Sequence, residues 1–183
     1  MAATKHLPQR VQDIIAKNEV FAASYPAAVP KMVDMRARSR STGTGLAIIT
    51  CMDPRVVPED YFGPDLRAAV LRNAGGHARP DTIASLVLFR SLSDFKTVAV
   101  VQHTDCGATH LTDDQITREA KERTPKAAAE IDAMHFGCFK EQDLENSVKV
   151  NVDILRATTA LEGVQVLGFV LETETGVARL LDY

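Results

Sequence analysis

The sequence predicts an α/β fold: a mostly parallel central sheet flanked by helices, with an antiparallel strand at one edge. Three observations carry this reading. Short, continuous apolar runs at 46–50, 68–71 and 97–102 have the length and composition of strands covered on both faces. Segments of helical spacing separate the later runs, as in parallel sheets whose crossovers are helices. Near the end, Glu174-Thr-Gly176 has turn chemistry and leads into a last short run at 177–181, which reads as a hairpin edge.

Taken in order, Val11, Ile14, Ile15, Asn18 and Phe21 recur near helical spacing and predict an amphipathic helix of about three turns. Pro26 and Pro30 close it off, and its apolar face would serve either a partner subunit or the chain's own core. Residues 36–45 (RARSRSTGTG) read as a basic, flexible loop. Its arginines fit a solvated face better than a phosphate site in a chain of net negative charge. Gly43-x-Gly45 precedes a strand instead of following one, so it is no dinucleotide fingerprint. The first strand (46–50) runs into Cys51, and the second (68–71) into Arg72-Asn-Ala-Gly-Gly76. Residues 80–92 predict a helix with Pro80 at its first position and Ile83, Leu86, Val87 and Arg90 at helical spacing. The third strand (97–102) follows, then a polar helix at 114–123 stopped by Thr124-Pro125. A longer helix at 141–161 carries Leu144, Val148, Val152, Leu155 and Thr159 on one face and ends at Gly163. A strand at 164–173 leads into the closing hairpin.

At 183 residues the chain is read as a single domain, 1–183, with an N-terminal helical arm at 1–30 and a core at 45–181. A hydrophobic content of 45% with a net charge of only -3 excludes a disordered chain and gives no general attraction to nucleic acid. No apolar run approaches the roughly 18 residues that would span a bilayer, so no membrane partner is expected. The opening residues lack the apolar stretch of a secretory signal. The three cysteines cannot build a disulfide framework. Both points lead to a cytoplasmic location, with a mitochondrial one as the alternative.

The chemistry lies at two strand ends. Cys51-Met-Asp53-Pro-Arg55 follows the first strand directly, and His103-Thr-Asp-Cys106-Gly107 follows the third. Ligands of open α/β sheets bind beyond the carboxyl ends of the strands, so two such clusters can converge. Cys51, His103 and Cys106 supply two thiolates and an imidazole, a donor set suited to Zn²⁺. Taken singly, each would read as a packed thiol or a satisfied histidine; their joint placement favours a metal. Three ligands match a catalytic site, which keeps a position for water, whereas a structural site takes four. Asp53 and Arg55, two apart, can face one side, and the guanidinium would hold the carboxylate ionised. Without the neighbouring ligands the pair would be a turn salt bridge. Cys138, in a loop with no strand end beside it, reads as packing or a free thiol. His77, His110 and His135 read as ordinary polar side chains.

The compound pattern Cys51-x-Asp53-x-Arg55 and His103-x-x-Cys106-Gly107 resembles the paired signature of the β-class carbonic anhydrases. Arg72-Asn-Ala-Gly75, Asn146-Ser-Val148, Gly168-Phe-Val170 and Glu174-Thr-Gly176 extend the resemblance over about 45–181. The short chain and the stretch from His103 to Asp114 resemble the family's compact branch, which also contains carbonyl sulfide hydrolases. One departure is Gln102, where the family commonly has Gly before the histidine.

The resemblance implies one Zn²⁺ per chain on Cys51, His103 and Cys106, with Asp53 and Arg55 as the catalytic dyad that orients the attacking water, or that rearranges when Asp53 itself ligates the metal. It implies a homodimer or dimer of dimers, with the N-terminal helix reaching across. The implied reaction is reversible hydration of CO₂ to bicarbonate. The alternative is hydrolysis of carbonyl sulfide (COS) to CO₂ and H₂S, which differs in pocket shape and not in polar groups. A remoter alternative is an inert zinc-binding scaffold with Asp53 as a permanent fourth ligand. A metal-free thiol redox protein is disfavoured by the lack of Cys-x-x-Cys.

Overall fold

A computed structural model describes residues 7–25 and 29–182. The chain divides into two compact units, within 1–35 and 36–183. The second holds a five-stranded sheet built from β1 (Leu46–Cys51), β2 (Ala69–Asn73), β3 (Thr97–His103), β4 (Gln165–Leu171) and β5 (Ala178–Leu180). Their order is β2-β1-β3-β4-β5. The first four strands are parallel, and β5 pairs with β4 antiparallel, as the sequence predicts.

The continuous apolar runs are explained by what covers them. Alternate residues of a strand point to opposite faces. On one face Ala47, Ile49, Val98, Val100, Val166 and Val170 pack with Leu86 of helix α4 (Pro80–Leu92) and with Val148, Val152 and Leu155 of helix α7 (Leu144–Ala157). On the other, Ile48, Ala99, Val101 and Leu171 pack with Val56, Tyr61 and Phe62, the last two from the one-turn helix α3 (Pro58–Phe62). Both faces of β1 and β3 are therefore dry, and neither strand alternates with polar residues.

α4 starts with Pro80 at its first turn, where no N–H is required. The polar helix α5 (Asp113–Arg123) begins one residue earlier than predicted. Thr112 caps it and Gln115 returns the bond, a reciprocal capping box. Too short to leave a periodic signal, α3 and α6 (Ala128–Asp132) are not predicted by the sequence.

Two expectations are corrected. Residues 36–42, read as a flexible loop, belong to helix α2 (Met32–Thr42). Met, Arg and Ala are good helix formers, and the helix stops only at Gly43, whose φ is +61°. The long helix expected over 141–161 is three pieces: a 3-10 turn at Glu141–Asp143, α7, and a 3-10 turn at Thr159–Leu161. The break falls at Thr158, whose hydroxyl donates to the Ile154 carbonyl at 2.8 Å while its own backbone turns extended. Thr159 is consequently exposed, and Asn151 takes a place on the buried face instead. There its Oδ1 accepts from the Ala78 N–H at 2.7 Å.

In the first unit, helix α1 (Gln9–Ala23) forms over the predicted segment, and none of its residues is buried. Pro26, predicted to help end it, lies outside the described residues.

Candidate metal centre

β1 and β3 are adjacent and parallel, with Thr50 paired to Val101, so Cys51 and His103 leave the sheet at neighbouring points. The chain then reverses at Asp105, which holds a left-handed φ of +52°, and delivers Cys106 back to the same place. The three ligand atoms lie within 4.8 Å of one another, and all three residues are buried. The two sulfurs are 3.8 Å apart.

The His103 ring spends Nδ1 on the Thr104 carbonyl at 2.9 Å. That bond fixes the tautomer and leaves Nε2 as a buried acceptor with no partner in the protein. An unpaired buried ring nitrogen is costly. Beside two sulfurs, it makes a borderline-soft donor set that fits a zinc-like ion, with a backbone carbonyl bracing the imidazole from behind. The Cys51 thiol is driven down, first by its hydrogen bond from Cys106, then by His103 and the backbone N–H groups of Asp53 and Gly75. The Cys51 sulfur in turn pushes the Cys106 thiol up. The two sulfurs are thus coupled, one favoured as thiolate and the other held as thiol.

The loop after β2 supports Cys51 from the side. Gly76, at φ +66°, lies against the backbone of Thr50 and Cys51. Arg72 donates through Nε to the Cys51 carbonyl at 3.0 Å and through Nη2 to the Asp53 carbonyl. Gln102, almost fully buried, donates to the Gly75 carbonyl at 2.6 Å and so ties this loop to β3.

Asp53 stands next to the cluster without joining it. Its carboxylate receives the Arg55 backbone N–H at 2.9 Å, Nε at 3.0 Å and Nη2 at 2.7 Å. Hydrogen bonds from Arg55 hold the carboxyl down to about 2. Arg55 is engaged on its far side too, donating through Nη1 to Asp105 Oδ2 at 2.8 Å and through Nη2 to the Asp105 carbonyl at 2.9 Å.

A sequence model of the carbonic anhydrase family matches residues 46–178. The chain belongs to the β-carbonic anhydrase family. Beta-carbonic anhydrase 1 of Mycobacterium tuberculosis is 29% identical over 113 residues, covering 61% of this chain and 64% of that protein. Carbon disulfide hydrolase of Saccharolobus solfataricus is 40% identical over 75 residues, covering 40% of this chain and 36% of that protein. The matched stretches thus span less than two thirds of either relative. The crystal structure of a carbonic anhydrase from Streptococcus mutans superposes with a TM-score of 0.80 at 26% identity, over 96% of this chain and 99% of that one.

Among the described residues, the metal-type cluster of this β-carbonic anhydrase homologue holds the three predicted side chains and no others. Cys138 is elsewhere: its N–H donates to Asp113, and burial together with that carboxylate pushes its thiol up to about 11. His77 packs edge-on against Phe139, and His135 reaches Asp113 at 3.4 Å on the surface. His110 is not merely solvated, because its Nε2 is 2.8 Å from Asp105 Oδ1. The sequence reading assigned no role in the site to Asp105, Arg72 or Gln102. Asp105 had a usable signal, since it sits between two candidate ligands; Arg72 and Gln102 act through backbone carbonyls, which no spacing reveals.

Proposed function

We propose that this chain is a zinc enzyme that adds water to a small linear heterocumulene, and that its principal reaction is reversible hydration of CO₂ to bicarbonate. One juxtaposition carries the reading: an ionised carboxylate, clamped by Arg55, next to a buried set of only three donors. Because Asp53 is committed to Arg55, it does not complete a closed four-ligand site. This argues against the inert scaffold.

Cys51, His103 and Cys106 would hold the ion. Bound there, zinc would supply a Lewis acid that makes water nucleophilic near neutral pH. Asp53 then accepts a hydrogen bond from the attacking water and aims its lone pair at the substrate carbon. Arg55 fixes the carboxylate and keeps it deprotonated. With CO₂ the water oxygen bonds to carbon and one proton leaves to solvent. The substrate is neutral and small, so selectivity rests on the shape of the walls.

A second reading is supported by the carbon disulfide hydrolase relative: a sulfur-bearing heterocumulene, COS or CS₂, attacked in the same way with release of H₂S. We place the protein in the cytoplasm as a homodimer or dimer of dimers; the exposed apolar residues of α1, such as Val20 and Phe21, support the oligomer alone. Among the described residues no helix is long and apolar enough to cross a membrane.

The test is kcat/KM for CO₂, COS and CS₂ measured side by side on the zinc-loaded protein. The leading reading expects the highest value for CO₂. A CO₂ rate equal to buffer with rapid H₂S release would replace it by the second reading, and no turnover of any of the three would overturn both.

A further inference from the structure

Asp105 occupies an unusual position. It is a non-glycine residue in left-handed backbone, φ +52°, at the reversal between two of the proposed metal ligands. Glycine would make that turn without strain, so the side chain must be worth its conformational cost. Its contacts show what it does. Oδ2 and the backbone carbonyl take Nη1 and Nη2 of Arg55, at 2.8 and 2.9 Å, so one residue receives both ends of the guanidinium fork. Asp105 is itself braced. His110 Nε2 lies 2.8 Å from its Oδ1, and its N–H donates to Glu141 Oε1 at 3.0 Å.

The arrangement adds little to stability. Both Arg55 and Asp105 are about half exposed, at 50% and 57%, and exposed ion pairs contribute little to folding. What it does restrict is orientation. Arg55 is a long side chain with many rotamers, and the one observed presents Nε and Nη2 together to Asp53. Held from behind by Asp105, the fork cannot swing away from that carboxylate.

We propose that Asp105 is a positioning residue for the reaction: it acts through Arg55 to hold the Asp53 carboxylate in its working orientation, with His110 and Glu141 bracing it. The inference rests on the proposed roles of Asp53 and Arg55.

Asp105→Gly removes the carboxylate while relieving the left-handed strain, so the turn is expected to survive. The experiment compares Asp105→Gly, Arg55→Ala and the double variant, all zinc-loaded, for kcat/KM and zinc content. The order parameter of the Arg55 Nε–Hε group, measured by ¹⁵N relaxation, supplies a readout independent of turnover. Asp105→Gly should lower kcat/KM between about tenfold and a hundredfold with zinc retained. Arg55 should become more mobile. The double variant should lose no more than Arg55→Ala alone, since residues acting in series are not additive. Full activity of Arg55→Ala would remove the proposed function of the dyad itself. An impaired Arg55→Ala beside a fully active Asp105→Gly would overturn only this inference. So would additive losses, zinc release from Asp105→Gly, or an Arg55 order parameter that does not change.

Discussion

Gly76 approaches Cys51 so closely that a Cβ on it would stand 3.0 Å from the Cys51 nitrogen. The glycine also has φ +66°, where an L side chain is strained. Gly76→Ala is therefore expected to push on the strand end that carries a proposed ligand. Stability should fall by more than about 1 kcal/mol. Zinc affinity should fall with it, as read by competition with a chromophoric chelator.

Removing a sulfur should remove the metal. Cys106→Ser leaves His103 and Cys51 as the only strong donors among the described residues of the cluster. Elemental analysis should find about one zinc per chain in the wild type and close to none in the variant. Cys138→Ser should change neither number, because that thiol lies outside the cluster.

Asp53→Ala separates binding from turnover. The carboxylate is not in the three-residue cluster, so zinc should remain. Loss of a positioned proton acceptor should cost roughly 10²–10⁴-fold in kcat/KM, measured by stopped flow at neutral pH.

The ionisation of Asp53 is set by its partner. With Arg55 present the carboxyl titrates at about 2. Arg55→Ala removes the positive charge and its hydrogen bonds, so the midpoint should rise toward about 4, the ordinary aspartate value. A ¹³C-carboxyl NMR titration checks the direction. Since Asp53 stays ionised in both proteins at neutral pH, the activity lost in Arg55→Ala does not come from protonation of Asp53.

The core has its own test. Leu86 is fully buried between α4 and the sheet. Leu86→Ala should cost about 2–5 kcal/mol in a denaturant titration, with zinc content preserved.

The strands and α4 were legible in the sequence because their signals are local. A dry parallel strand needs an unbroken apolar run, and a helix start needs its proline or cap within one turn. The failures were also local. Arg and Ser at 36–42 resemble a loop in composition yet are tolerated in a helix, and the backbone turns extended at Thr158 in a segment whose apolar spacing ran on past it. The clustering of Cys51, His103 and Cys106 could be read from their types and from their places after predicted strands. Asp53 and Arg55 followed from their spacing.

Sequence alone thus determined the α/β class and the family resemblance, and named the residues that cluster as the candidate site, since each is written in short runs of residues. Only the tertiary structure decided which groups support that site. Asp105 reaches Arg55 across fifty positions, Gln102 holds the Gly75 loop, and Arg72 grips the carbonyls of Cys51 and Asp53. These contacts depend on strand register and on a left-handed turn, and neither leaves a periodic mark in the chain.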